Sequence, residues 1–178
     1  MDLRLACGGD LPRLKAMYRA IAARMEAEGL RIWDEVYPAE FLDGDIKAGR
    51  LCVLEDGAEI AAAFALSPSD PGEGRVRWPG GPGKACYLDR LGVDVRYRRQ
   101  GVGGMALDRA AALAGELGAR YLRLFAVECN GPAIALYRRR GFQQALGVYE
   151  QEIDGGAVLR ERGFQRETAA RPSAEKPV

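Results

Sequence analysis

The stretch that most constrains this chain runs from Ala85 to Val127 and is built around the segment VRYRRQGVGGMA, Val95 to Ala106. ACYLDRLGVDV, ahead of the glycines, reads as a strand. Ala106, Ala110, Leu113 and Leu117 then fall on one helical face, and Gly118 stops the run. ARYLRLFAV supplies a further strand directly afterwards. Cys86 to Val127 is therefore expected to form a βαβ crossover, with two parallel strands joined right-handedly. Any fold for this chain must accommodate that parallel pair and the glycine-rich turn at its end.

The rest of the chain adds elements around this unit. DLRLAC alternates like a strand, and Asp10 is placed to cap a helix carrying Leu14, Met17, Tyr18, Ile21 and Met25 up to Gly29. Pro38 starts a short second helix with Phe41, Leu42 and Ile46, ending near Gly49. RLCVLEDGAEIAAAFAL is a hairpin turning at Asp56-Gly57. Ser67 to Lys84 is rich in Gly and Pro and reads as a loop anchored by Val76 and Trp78. Asn130 caps a helix through PAIALYRRR, stopped at Gly141. FQQALGVYEQEI and AVLRERGF form a closing antiparallel pair turned at residues 154–156. Past Arg166 apolar periodicity ends, so residues 1–166 are expected to be one domain and 167–178 a disordered tail.

Composition removes several classes of function. Lys and Arg total 26 against 25 for Asp and Glu, so no global charge draws the chain to nucleic acid or an anionic membrane. No apolar run approaches the ~20 residues of a membrane span, and the opening residues lack a signal-peptide pattern; a cytoplasmic protein is expected. Cys7, Cys52, Cys86 and Cys129 are dispersed, and the chain has no histidine, so no metal site is expected. The missing histidine also excludes Ser-His and Cys-His nucleophile pairs. Proton transfer would fall to carboxylates, Tyr, Lys, Cys or water.

Gly101, Gly103 and Gly104 precede a helix whose first N–H groups are free to meet an anion. A Walker A loop is excluded because no Lys-Ser or Lys-Thr follows. Gly101, Gly103 and Ala106 do match a dinucleotide-binding Gly-x-Gly-x-x-Ala, with Glu128 ending the next strand. The polar turn Arg96 to Gln100 ahead of the first glycine, and the short length of chain beyond Glu128, count against that reading. RLGVDVRYRRQGVGG followed by NGPAIALYRRRGF resembles the GNAT superfamily of N-acetyltransferases. Arg98, Gly101 and Gly103 fit its Arg/Gln-x-x-Gly-x-Gly/Ala signature. Asn130, Ala133, Leu136, Tyr137, Gly141 and Phe142 fit its second pattern, in the right order and at the right separation.

The resemblance implies a mixed α/β (α+β) GNAT fold: a mostly antiparallel sheet of six to seven strands, one parallel pair splayed to admit acetyl-coenzyme A, and about four flanking helices. It implies that the backbone of Arg99, Gln100, Gly101, Val102, Gly103 and Gly104 holds the pyrophosphate, with Arg98 adding charge. Leu91 and Val93 would bond the pantetheine through their backbone, Asn130 would bond its amides with Ala133 alongside, and Arg139 would reach the 3′-phosphate. Tyr137 would stabilise the leaving thiolate. For the general base, Asp89, Glu128 and Glu35 remain open. Trp33, Glu35 and Tyr37, beside Asp34, would line the mouth of the acceptor site, their flat and acidic side chains suiting an amine.

The implied activity is acetyl transfer from acetyl-coenzyme A to a small-molecule amine or a protein amino group, with a homodimer left open. A non-catalytic domain binding coenzyme A or a protein partner is the second reading. Retention of Tyr137 argues against it.

Overall fold

The computed structural model describes residues 1–34, 36–153 and 157–169. In chain order the elements are β1 (Asp2–Leu5), α1 (Leu11–Ala27), α2 (Leu42–Lys47), β2 (Leu51–Asp56), β3 (Glu59–Ser67), β4 (Ala85–Val93), α3 (Val102–Glu116), β5 (Tyr121–Val127), α4 (Gly131–Arg139), β6 (Gln143–Gln144), β7 (Tyr149–Ile153) and β8 (Ala157–Glu167). They build one eight-stranded sheet in the order β1-β2-β3-β4-β5-β8-β6, with β7 paired to β8 beside this path. β4 and β5 are parallel and the other pairs antiparallel. The eighth strand, beyond the expected six to seven, appears because FQQALGVYEQEI is two strands. Gly147, at φ 102, breaks the run, and Leu146 bonds the backbone of Arg77 instead.

Helices cover both faces of the sheet, which explains the almost unbroken apolar run IAAAFAL in β3: a strand buried on both sides has no solvent face to alternate with. Leu14, Met17 and Tyr18 of α1 pack with Leu51, Val53, Ile60, Ala63 and Ala65 on one face. Ala106, Leu107, Ala110 and Ala114 of α3 pack with Cys52, Leu54, Phe64, Cys86 and Leu122 on the other. The alternation Leu51/Val53 against Cys52/Leu54 follows from the period of two in a strand.

Local details shift three expectations. Asp10 does not cap α1 with its side chain; its carboxylate accepts the Cys7 N–H (2.8 Å) and pairs with Arg4 (2.7 Å), which holds its pKa well below the carboxylate range. The hairpin turns at Gly57-Ala58, because Asp56 is still paired with Glu59 and Gly57 supplies the positive φ. At the C-terminal end, Glu167 pairs with Tyr121 and the Thr168 hydroxyl donates to Ala119 O, so order extends past the expected boundary at Arg166. Residues 170–178 and the turn at 154–156 lie outside the described residues. Among the described residues no helix is long and apolar enough to cross a membrane.

Two irregularities in β4 position the functional site. The parallel pairing covers only Ala85↔Tyr121, Cys86↔Leu122 and Tyr87↔Arg123, and beyond it the strands part. On the other edge, Ala63 pairs with Gly92 and Ala65 with Asp89, leaving Arg90 and Leu91 opposite Phe64 alone. This bulge bends β4, and Arg90 takes the strained φ of 54°. The Tyr18 hydroxyl donates to the Arg90 carbonyl and secures the bend. Gly92 lets the helix approach: an added Cβ would lie 2.8 Å from Tyr18 Cε1 and 3.1 Å from Ile21 Cδ1. Gly92→Ala is accordingly expected to destabilise the fold by about 1–3 kcal/mol, read as a lower urea midpoint at unchanged m.

Candidate active site

Between the parted strands opens a cleft of ≈ 1610 Å³ that also runs along the glycine turn and beneath residues 30–41. Asp94 starts the turn by accepting the Arg96 N–H (2.8 Å). Arg99 (φ 61) and Gly101 (φ 81) wind it left-handed, and α3 begins at Val102. The first N–H groups of a helix lack intrahelical partners, so this turn offers donors and a positive dipole end to an anion. At Gly101 the requirement is conformational, since nothing lies within 4 Å of an added Cβ. At Gly103 it is space: an added Cβ would lie 3.1 Å from Leu136 Cδ2 and 3.5 Å from Val93 Cγ2.

Arg98, Arg99, Gly101, Val102, Gly103, Gly104 and Arg139 all line the cleft. Arg98 is bound to Glu28 (2.9 and 3.2 Å), a carboxylate also held by Arg24. The two guanidiniums lower the Glu28 pKa. Arg138 donates to Gln144 (2.9 Å) and Arg140 pairs with Asp108 (3.0 Å), whereas Arg139 has no partner among the described residues. Of the three arginines it is the one facing the cleft. Gln100 does not line the cleft; its side chain donates to Arg96 O (2.8 Å), a contact that leaves the expected backbone role untouched.

Leu91 and Val93 line one side of the splay and Phe125 to Val127 the other. Asn130 does what was expected of it locally: its Oδ1 accepts the Ala133 N–H (3.3 Å) and caps α4, and both residues border the cleft. α4 thereby presents Tyr137 to the same space. The Tyr137 ring packs against Phe142 and Phe164, at 5.9 and 5.8 Å between centroids. Burial pushes its pKa up to about 12. At physiological pH this tyrosine is a neutral phenol, a donor of one hydrogen bond.

The other end of the cleft is aromatic. Trp33 packs on Tyr18 (5.6 Å) and Tyr37 (6.5 Å), and Tyr37 meets Phe41 edge-on (5.8 Å). Burial raises the Tyr37 pKa to about 12. Asp34 holds this turn by accepting the N–H groups of Val36 and Tyr37, both at 2.7 Å. Glu35 lies outside the described residues. Arg90, aimed by the bulge, lies over the Phe41 ring (5.3 Å) and pairs with the buried Asp45 (2.7 Å). Gln151, Glu152, Leu159 and Glu161 of the β7–β8 arm form the facing wall.

Of the three expected carboxylates, the structure does not bring Glu128 and Asp89 into the cleft. Glu128 is paired with Arg160 (2.9 Å) and Arg162 (2.6 Å), which lower its pKa, and it does not line the cleft. Asp89 accepts the Ser67 hydroxyl (2.8 Å) and sits 3.8 Å from the Arg90 guanidinium; burial raises its pKa, yet it too is absent from the lining. Sequence reasoning missed Glu161. It lines the cleft half-buried, and burial, with Asp70 and Asp89 nearby, pushes its pKa up to about 7.

Comparisons with known proteins agree with this arrangement. A model of the Acetyltransferase (GNAT) family matches residues 14–142. The uncharacterized N-acetyltransferase YesJ of Bacillus subtilis is 30% identical over 124 residues, 63% of this chain and 66% of its own length. YwnH of the same organism, provisionally named a phosphinothricin acetyltransferase, is 29% identical over 159 residues, 87% of this chain and 92% of its own. The crystal structure of the ribosomal-protein-S18-alanine N-acetyltransferase from Escherichia coli shares the fold, with a TM-score of 0.67, 17% identity and 99% of each chain covered. With its splayed parallel pair, glycine turn and matching family model, the chain belongs to the GNAT family of acetyltransferases.

Proposed function

We propose that this protein transfers an acetyl group from acetyl-coenzyme A to a primary amine by direct attack within a ternary complex. One observation carries the reading: a single cleft joins the glycine turn, the parted strands, Tyr137 and the aromatic mouth. The donor set fits the cosubstrate. Helix-terminal N–H groups and Arg98, Arg99 and Arg139 suit its phosphates, and the open edges of β4 and β5 suit an amide-bearing arm.

Acetyl-coenzyme A supplies the activated thioester carbonyl. The chain's own groups orient and exclude water. Tyr137 donates a hydrogen bond at the departing sulfur; a phenol held near 12 is a weaker acid than a thiol near ~8.5, so this bond stabilises the thiolate without early proton loss. Trp33 and Tyr37 give the acceptor a flat wall, and the substrate that fits is an amine carrying apolar or aromatic surface. The names of YwnH and of the Escherichia coli enzyme span both a small-molecule and a protein amine, and the aromatic walls of Trp33, Tyr37 and Phe41 favour the former here.

A screen for coenzyme A release over a panel of amines tests the reading, with turnover expected for aryl- or alkyl-substituted primary amines. On the best amine, Trp33→Ala is expected to raise KM about 3- to 10-fold with little change in kcat, the scale of one lost aromatic contact. An unchanged KM would remove Trp33 from the acceptor site.

A further inference from the structure

We propose that Glu161 is the group that takes the proton from the incoming ammonium of the acceptor. The proposal rests on the acetyl-transfer reading and adds to it the base that the sequence left open. Among the described residues five carboxylates line the cleft: Glu28, Asp34, Glu40, Glu152 and Glu161. Glu28 is held by Arg24 and Arg98 at the cofactor end, and Asp34 by two backbone N–H groups. Glu40 and Glu152 are exposed. Glu161 alone among them is half-buried and without an ion pair or hydrogen-bond partner among the described residues.

Its position follows from strand register. Glu161 pairs with Val127 of β5 on one side and Tyr149 of β7 on the other. Because side chains alternate along β8, Arg160 and Arg162 lie on the opposite face, where both bind Glu128. Leu159 and Glu161 share the cleft face. The charged and titratable groups around Glu161 are Asp70 of the loop after β3, Asp89 and Arg90 of β4, and Tyr37 across the cleft. Arg90 is shared between Asp45 at 2.7 Å and Asp89 at 3.8 Å, so the neighbourhood holds more carboxylate than cation. An ammonium would supply the missing positive charge.

The proton step balances within the acceptor and this side chain. The N–H bond of the ammonium breaks, its electron pair stays on nitrogen as the nucleophilic lone pair, and the proton forms an O–H bond on the Glu161 carboxylate. The resulting carboxylic acid returns the proton to solvent through the open cleft. Transfer from an amine near ~10.4 to an ordinary carboxylate near ~4.3 is uphill by about six units. Held near 7, Glu161 cuts that gap to about three units, the way bases are matched to their task.

Two measurements test this. In steady-state kinetics the kcat/KM profile of the parent should rise with pH through about 7. Glu161→Gln should lose that limb and lower kcat roughly 10²- to 10⁴-fold, keeping its thermal shift with coenzyme A, and Glu161→Asp should restore part of the limb. Independently of turnover, the folded pKa above the unfolded value means that ionisation costs stability as pH rises from about 4.5 to about 7. Glu161→Gln should therefore melt roughly 2–8 °C higher than the parent at pH 8 and at the same temperature at pH 4. If Glu161→Gln keeps the rising limb and a kcat within about 3-fold of the parent, the proposal is overturned and acetyl transfer stands. A parent that melts no lower than Glu161→Gln at pH 8 overturns it as well. A parent that releases no coenzyme A with any amine overturns the acetyl-transfer reading itself and this role with it.

Discussion

Tyr137→Phe is expected to lower kcat by roughly 10- to 10³-fold while leaving coenzyme A affinity unchanged, the signature of losing one donor that acts on charge formed late in the reaction. The phenol ring contributes packing to Phe142 and Phe164, and Phe preserves that contact. Only the hydroxyl is lost, and no group among the described residues bonds it in the free protein. Stability should consequently stay within about 0.5 kcal/mol, so a fall in rate cannot be blamed on unfolding. Equal kcat for the two proteins, in an assay shown by a single-turnover measurement to be limited by chemistry, would leave Tyr137 as a packing residue.

The second large effect is on binding. Coenzyme A at a hundredfold excess over its Kd should stabilise the folded state by about 2.7 kcal/mol, which for a chain of this size is a rise in Tm of roughly 5–10 °C. Gly101→Glu should remove that rise. Gly101 has φ 81, so any L side chain there strains the turn, and a carboxylate would stand where the anion belongs. Gly103→Glu should do the same by a different route, because its Cβ would already press on Leu136 at 3.1 Å and separate α3 from α4. Gly101→Ala separates the two causes: it carries the backbone strain without the charge and should retain part of the shift. NAD should produce none, and a protein that responds to NAD but not to coenzyme A would refute the assignment of this turn.

The glycine turn and the cap of α4 were legible because they are local. Arg98 to Gly104 and Asn130 to Tyr137 act through backbone turns and caps, which are written into consecutive residues. The acceptor end was not, because it depends on strand register. Arg160, Glu161 and Arg162 lie in AVLRERGF, which reads as a strand, but nothing in the strand pattern says which of its faces meets the cleft; the pleat sends Glu161 there and its neighbours to Glu128. The alternation Leu159, Glu161, Gly163, with Trp78 packed on Gly163, is the signal that could have revealed it. Glu128 was misleading for the same reason, since its partners Arg160 and Arg162 lie on a strand more than thirty residues away. The bulge at Arg90 had no sequence mark at all, as arginine rarely takes a left-handed φ and nothing local predicts that it must.

The two ends of the cleft also differ in how they were assembled. The cofactor end is nearly one continuous piece of chain, Leu91 to Arg139, in which each part depends on its neighbour. The acceptor end is borrowed from residues 30–41 and from the β7–β8 arm, whose side chains meet only across open space. Substitutions in those walls are expected to leave the glycine turn and the splay untouched. On the acetyl-transfer reading proposed above, such a molecule could diverge in what it acetylates while keeping its fold, with the change expected at Trp33, Tyr37, Phe41 or Leu159.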